Sequence, residues 1–269
     1  MASASALACV LFIVPGAFGV DGGGTSFIVD PKDFMLPVVR YFETKGCAVK
    51  KGQLPADSKI EERGMILKDQ YSRWLDGLRR EGKIDSQTAK WMIAESLGGL
   101  TARMALGTLK MTDVDAVAFI GVPHQGTPLA RWTLDQIKEK TWIYRIASVV
   151  FDYDMGALAF TEQVLPEFLE KHRARFQPPA PVRIGSVLNE CHSNCSAWLQ
   201  VLGWIGPKFA GDGIVPTSDQ RFGDDLGTFD LDHLTAVVDH RLGHDQRKQM
   251  LDSIWQWFKQ GPVRSDKKG

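Results

Sequence analysis

The chain has no excess of either charge: 32 lysine and arginine residues are matched by 32 aspartate and glutamate residues. Nucleic-acid binding calls for a basic excess or stripe, so the balance speaks against that class of partner. No apolar run reaches the roughly 18 residues of a membrane-spanning helix, and no transmembrane segment is expected. The apolar opening, MASASALACVLFIVPGAFG, lacks the basic n-region of a secretory leader and runs straight into Pro15-Gly16. It reads as a mature or truncated start, with no evident signal peptide. Internal repeats and low-complexity segments are missing too, so no repeat architecture is expected. Histidine is scarce, with only six residues, which leaves few candidates for imidazole chemistry.

Cysteine is also sparse. Cys9, Cys47, Cys191 and Cys195 make an even set that allows three pairings. Cys191 and Cys195, spaced CHSNC, suit a small disulfide loop better than a zinc site, because His192 has no second ligand cluster nearby. Cys9 and Cys47 open two segments that read as neighbouring strands, so a second bridge is conceivable.

At 269 residues the chain is long enough for one large domain, spanning 1–269, that buries roughly three quarters of its unfolded surface. Cys9 to Val14 is a continuous apolar run ending at Pro15-Gly16, as in a strand covered on both faces. A glycine-rich loop follows, from Ala17 to Thr25, then a helix over about Phe34 to Glu43 and a strand from Cys47 to Leu54. Between Ser58 and Gly82, Ile60, Ile66, Leu67, Tyr71, Trp74, Leu75 and Leu78 recur at helical spacing. Ala89 to Glu95 reads as a strand, Leu97 to Leu109 as a helix, and Asp115 to Val122 as another buried strand. This alternation predicts an open, mainly parallel sheet flanked by helices, with sites at the carboxyl ends of the strands.

From Ala130 to Phe176 the pattern is that of amphipathic helices, which would form either the outer layer of the fold or a lid. Val182 to Leu188 and Leu226 to Leu231 read as strands, and Gln246 to Lys259 as a closing helix. Ser96 sits between an apolar strand and a helix, with small residues, Ala94 and Gly98, two places to either side. That is the layout of a nucleophile elbow, AESLG in place of the usual GxSxG.

A serine hydroxyl needs a base to take its proton, and the base needs a carboxylate that fixes its tautomer. Ser96, Asp212 and His233 supply these groups in the chain order serine, acid, histidine. Each also has an ordinary structural reading: a helix cap for Ser96, a turn residue for Asp212, helix packing for His233. His124 and His192 precede Asp212 and break the order, whereas His172, His240 and His244 lie in or near helical segments. The amides of Ala17 and Leu97 are placed to meet charge developing on a tetrahedral oxygen.

Five blocks carry a family resemblance: VPGAFG (Val14 to Gly19), AESLGGLTAR (Ala94 to Arg103), GVPHQGTPLA (Gly121 to Ala130), GDGIVPTSDQRFG (Gly211 to Gly223) and LDHL (Leu231 to Leu234). In order and spacing the chain resembles the bacterial secreted triacylglycerol lipases of the α/β-hydrolase superfamily. The resemblance implies an α/β-hydrolase fold with a helical cap over 131–176. It further implies Ser96 as nucleophile, Asp212 as acid, His233 as base, and Ala17 and Leu97 as the oxyanion hole. A secreted or periplasmic location, an ester or lipid substrate and contact with a lipid interface follow from it as well. Phe18, Trp132 and Trp142 are the expected substrate contacts, and the apolar cap points to apolar acyl esters.

Three departures stand out. Pro15 replaces the histidine that usually ends the first strand, and Glu95 stands beside the serine where histidine is usual. Thr235 occupies the position of a calcium-binding aspartate, so neither a metal nor a cofactor is expected. A polyester depolymerase or acyltransferase would share the catalytic set, and a non-catalytic binding protein would share the fold.

Overall fold

The computed structural model describes residues 7–17, 33–55, 58–139, 160–239 and 241–261. Six strands form one sheet: β1 (Cys9–Val14), β2 (Cys47–Lys51), β3 (Ala89–Glu95), β4 (Ala116–Ile120), β5 (Arg183–Asn189) and β6 (Asp224–Phe229). Their order is β2-β1-β3-β4-β5-β6, and every neighbouring pair is parallel. The helices are α1 (Leu36–Thr44), α2 (Ile60–Arg80), α3 (Leu97–Gly107), α4 (Pro128–Glu139), α5 (Pro166–Lys171), α6 (Ala197–Ile205) and α7 (His244–Lys259).

Parallel strands need helical crossovers, and crossovers cover both faces of the sheet. This explains why β1 is apolar at every position. Val10, Phe12 and Val14 join a core built with α2 and α3, while Cys9, Leu11 and Ile13 join a second core built with α1 and α7. In the second core Trp91 of β3 stacks on Phe258 of α7, with ring centroids 4.7 Å apart. Strand order reverses direction between β1 and β3. A crevice opens at such a switch point outside the carboxyl ends of the strands, and Pro15-Gly16 and Ser96 lie there.

Cys9 and Cys47 are register partners on β1 and β2, with Cα atoms 4.7 Å apart, and form a disulfide; Cys191 and Cys195 form the other. Two bridges suit an oxidising compartment. The described part of 131–176 packs onto the first core through Val164, Leu165, Leu169 and Phe176. Residues 140–159, with Trp142, lie outside the described residues, as does Phe18.

Most element boundaries shift from expectation by one to three residues. The second strand stops at Lys51 rather than Leu54, and Gly52 makes its last hydrogen bond to β1, donating to the Ile13 carbonyl at 2.8 Å. The last strand begins two residues early, at Asp224. The helix at Ala197–Ile205 is not expected from the sequence. AWLQVLGWI has no polar stripe, so it gives no amphipathic signal.

Candidate active site

Ser96 follows β3 directly and opens α3 with φ 52° and ψ −131°, a left-handed turn that is uncommon for a residue with a side chain. The turn holds because its neighbours leave no room for another path. A side chain at Gly98 would run into the Val14 and Pro15 carbonyls, and one at Gly99 into the Val122 side chain. Ser96 N donates to the Ile120 carbonyl at 3.0 Å, which ties the elbow to β4. Ala94, standing where glycine is usual, is fully buried in the strand.

The structure brings Ser96, His233 and Asp212 together. His233 Nε2 is 2.9 Å from Ser96 Oγ, and Nδ1 is 2.7 Å from Asp212 Oδ2. A carboxylate only accepts, so Nδ1 carries the proton and Nε2 is left with a lone pair facing the hydroxyl. The other oxygen, Asp212 Oδ1, accepts the amides of Ile214 at 2.9 Å and Val215 at 2.7 Å. His233 N in turn donates to the Asp212 carbonyl at 2.9 Å. A side chain on Gly121, whose φ is +57°, would approach Asp212 Oδ2 to 2.9 Å, so the pair needs a glycine at the end of β4.

The loop that carries His233 is fixed from two directions. Asp232 accepts the amides of Leu234 at 2.9 Å and Thr235 at 2.6 Å, and also that of Ser196. Asp230 accepts amides of the Cys191–Cys195 loop, from His192 at 2.7 Å and Ser193 at 3.1 Å. Thr235 Oγ1 accepts the Asp232 amide at 2.9 Å, so this threonine is committed to holding the loop. Among the described residues no group of His, Cys, Asp and Glu gathers in a way that would hold a metal.

Glu95, noted in the sequence only as a departure, occupies the centre of the site. It is 2% exposed. Its Oε2 accepts the Gly16 amide at 2.8 Å, and its Oε1 lies 3.4 Å from His233 Nε2. Arg63 of α2 is fully buried and donates to the Pro15 carbonyl at 2.9 Å and the Gly16 carbonyl at 3.2 Å. The loop after β1 is therefore held by its amide from one side and by its carbonyls from the other. Arg63 carried no signal in the sequence, since it lies among the charges of an amphipathic helix.

Burial is the largest influence on Glu95 and raises its pKa; the His233 charge, the Gly16 hydrogen bond and Arg63 offset part of that rise, and Asp212 adds to it. Burial alone would lower the pKa of His233. The charge and hydrogen bond of Asp212, joined by Glu95 and Asp232, outweigh burial and leave it raised.

Ala17 stands three residues after β1, and Leu97 opens α3 directly after Ser96. Among the described residues neither amide donates to another protein group. Trp132 is half-buried on α4. His124, which precedes the acid in the chain, faces Arg103.

No protein-family model matches the chain. Triacylglycerol lipase 2 of Saccharomyces cerevisiae is 22% identical over 76% of this chain and 62% of its own length. The chain thus spans about three fifths of that curated relative. Among solved structures, a metagenomic carboxyl esterase superposes with a TM-score of 0.68 at 16% identity, covering 95% of this chain and 77% of its own. Carboxyl esterase 2 of the mycorrhizal fungus Tuber melanosporum does so with a TM-score of 0.53 at 14% identity, covering 96% and 80%. An α/β-hydrolase fold protein from Burkholderia ambifaria matches over 93% of this chain and 91% of its own, with a TM-score of 0.52 and 14% identity. The likeness at these identities is one of architecture, and together with the all-parallel sheet it shows that this chain has the α/β-hydrolase fold.

Proposed function

We propose that the chain is a serine hydrolase of carboxylic esters with apolar acyl groups, a lipase or esterase of the kind the bacterial secreted triacylglycerol lipases represent. One observation carries the reading: Ser96, His233 and Asp212 form a continuous hydrogen-bonded chain at the carboxyl edge of the sheet, with distances of 2.9 and 2.7 Å.

In this mechanism Ser96 Oγ attacks the acyl carbonyl carbon while His233 Nε2 takes the hydroxyl proton. Asp212 keeps Nδ1 protonated and stabilises the imidazolium that forms. The negative charge on the tetrahedral oxygen meets the Ala17 and Leu97 amides. When the intermediate collapses, Nε2 returns its proton to the departing alkoxide and an acyl-enzyme remains on Ser96. Water then attacks the acyl carbon with His233 again as base, releasing the carboxylic acid and restoring the serine.

Glu95 acts beside this relay. Its carboxylate steadies the loop that bears the Ala17 amide, and its charge favours the imidazolium. The region 131–176 serves as the cap above the acyl site, with Trp132, Trp142 and Phe18 as substrate contacts and the cap face toward lipid. The two disulfides support export to a secreted or periplasmic setting.

The test is labelling of the folded protein by a fluorophosphonate probe, together with hydrolysis of p-nitrophenyl butyrate and emulsified tributyrin. Labelling confined to Ser96 and turnover lost in Ser96→Ala are the expected results. A folded protein that neither labels nor turns over any ester overturns the reading.

A further inference from the structure

A second buried cation, Arg103, lies on α3 about two helical turns beyond Ser96. It is 4% exposed. Its Nε donates to the Phe176 carbonyl at 2.8 Å, and its guanidinium carbon lies 3.8 Å from the centroid of the Phe222 ring. Nη1 is 3.0 Å from His124 Nδ1. Arginine only donates, so His124 Nδ1 must be the acceptor, and the neutral ring then carries its proton on Nε2. Burial first, and the charge of Arg103 second, keep this imidazole in its neutral form. Nε2 is therefore a donor, and among the described residues it is buried without a hydrogen-bond partner.

Arg103 and His124 line a cavity of about 440 Å³, along with Arg173, Arg221 and Glu170. Among the described residues, two carboxylates at its rim are already engaged. Glu170 pairs with Arg173 at 2.7 Å, and Asp225 pairs with Arg221 at 2.8 Å, both at the exposed rim. Among the described residues no carboxylate pairs with Arg103, and none accepts a hydrogen bond from its Nη2. A water molecule would satisfy the imidazole N–H but would leave the buried charge without a counter-charge, which is the costlier defect. A negatively charged oxygen satisfies both.

We propose that this cavity is a binding site for a small oxyanion, a carboxylate or phosphate group, held between Arg103 and His124 Nε2 and drawn in past Arg173 and Arg221. No residue of the proposed triad takes part, so the site stands or falls apart from the hydrolase reading. A carboxylate is also what ester hydrolysis releases, which gives that ion a source at the neighbouring centre; free phosphate has none there.

The test is calorimetric titration of the full chain with sodium butyrate, sodium phosphate and sodium chloride at matched ionic strength. Saturable binding of butyrate, phosphate or both, with none for chloride, is expected. Butyrate alone would mark a site shaped for a planar carboxylate, and phosphate alone one shaped for a tetrahedral ion. Arg103→Met should weaken binding about tenfold or more, the range expected for losing a charged hydrogen-bond partner. Arg221→Gln, changed at the exposed rim, should weaken it about threefold. If Arg103→Met does not fold, the double variant Arg173→Gln, Arg221→Gln carries the same test. Failure of both ions to saturate below about 10 mM, or equal binding by the folded variants, overturns the proposal. Crystals grown in each salt that show only water against His124 Nε2 would do so too. Fluorophosphonate labelling of Ser96 in the same samples reports on the hydrolase reading separately.

Discussion

Arg63 and Arg103 are both buried, both touch α3, and both hold backbone carbonyls, yet their electrostatic surroundings are opposite. Arg63 reaches Thr101 Oγ1 on α3 and the Pro15 and Gly16 carbonyls, and the charge of Glu95 favours its cation against the cost of burial. Arg103 reaches the Phe176 carbonyl and His124, and the charge of Arg173 adds to the cost of burial. A guanidinium enclosed with its counter-charge locks a loop. One enclosed without a counter-charge, beside an open cavity, is a place where a ligand has something to do. The edge of the sheet thus carries one closed polar network, at the proposed catalytic centre, and one incomplete network next to it.

The largest effect that would separate the two networks is on turnover. Ser96→Ala should lower kcat for p-nitrophenyl butyrate on the order of 10⁶-fold while leaving oxyanion titration at Arg103 unchanged. Coupled loss of both signals would show that the networks are one site. Stability comes next. Arg63→Met leaves the Pro15 and Gly16 carbonyls without their buried charged donor and should cost about 3–5 kcal/mol by urea denaturation, the range for losing two such hydrogen bonds.

Glu95→Gln is subtler, because the amide oxygen still accepts the Gly16 N–H. The base works as neutral imidazole, and the Glu95 charge is one of the influences that raise the His233 pKa. Removing that charge lowers the pKa, so the acid limb of the kcat/KM profile should move to lower pH; an unmoved limb would remove Glu95 from the electrostatics of the base. The smallest effect belongs to Arg103→Met, which removes a cation that lacks a counter-charge. Its cost should be about 1–2 kcal/mol in buffer free of oxyanions, well below that of Arg63→Met. Equal costs would erase the contrast.

Local pattern was legible where burial is uniform along an element. β1 and β3 read as apolar runs because both faces of a parallel sheet are covered, and α2 read as a helix because only one of its faces is. Ser96, Asp212 and His233 were readable from chain order and from the small residues a tight elbow demands. α6 was not, since an apolar helix without a polar stripe looks like any apolar segment. Glu95 was visible as an oddity without a role, and Arg63 was one charge among many in α2. His124 carries no such signal, because it precedes the acid in the chain.

The sequence by itself determined the strand and helix pattern except for α6, the parallel sheet and the candidate triad, because all of these rest on periodicity along the chain, chain order and residue chemistry. Only the tertiary structure decided which buried charges share an enclosure. Arg63 meets the loop after β1, 47 and 48 positions away in the chain, and Arg103 meets His124 across 21. Electrostatic pairing depends on distance and burial in space, and neither is written in the spacing of residues along the chain.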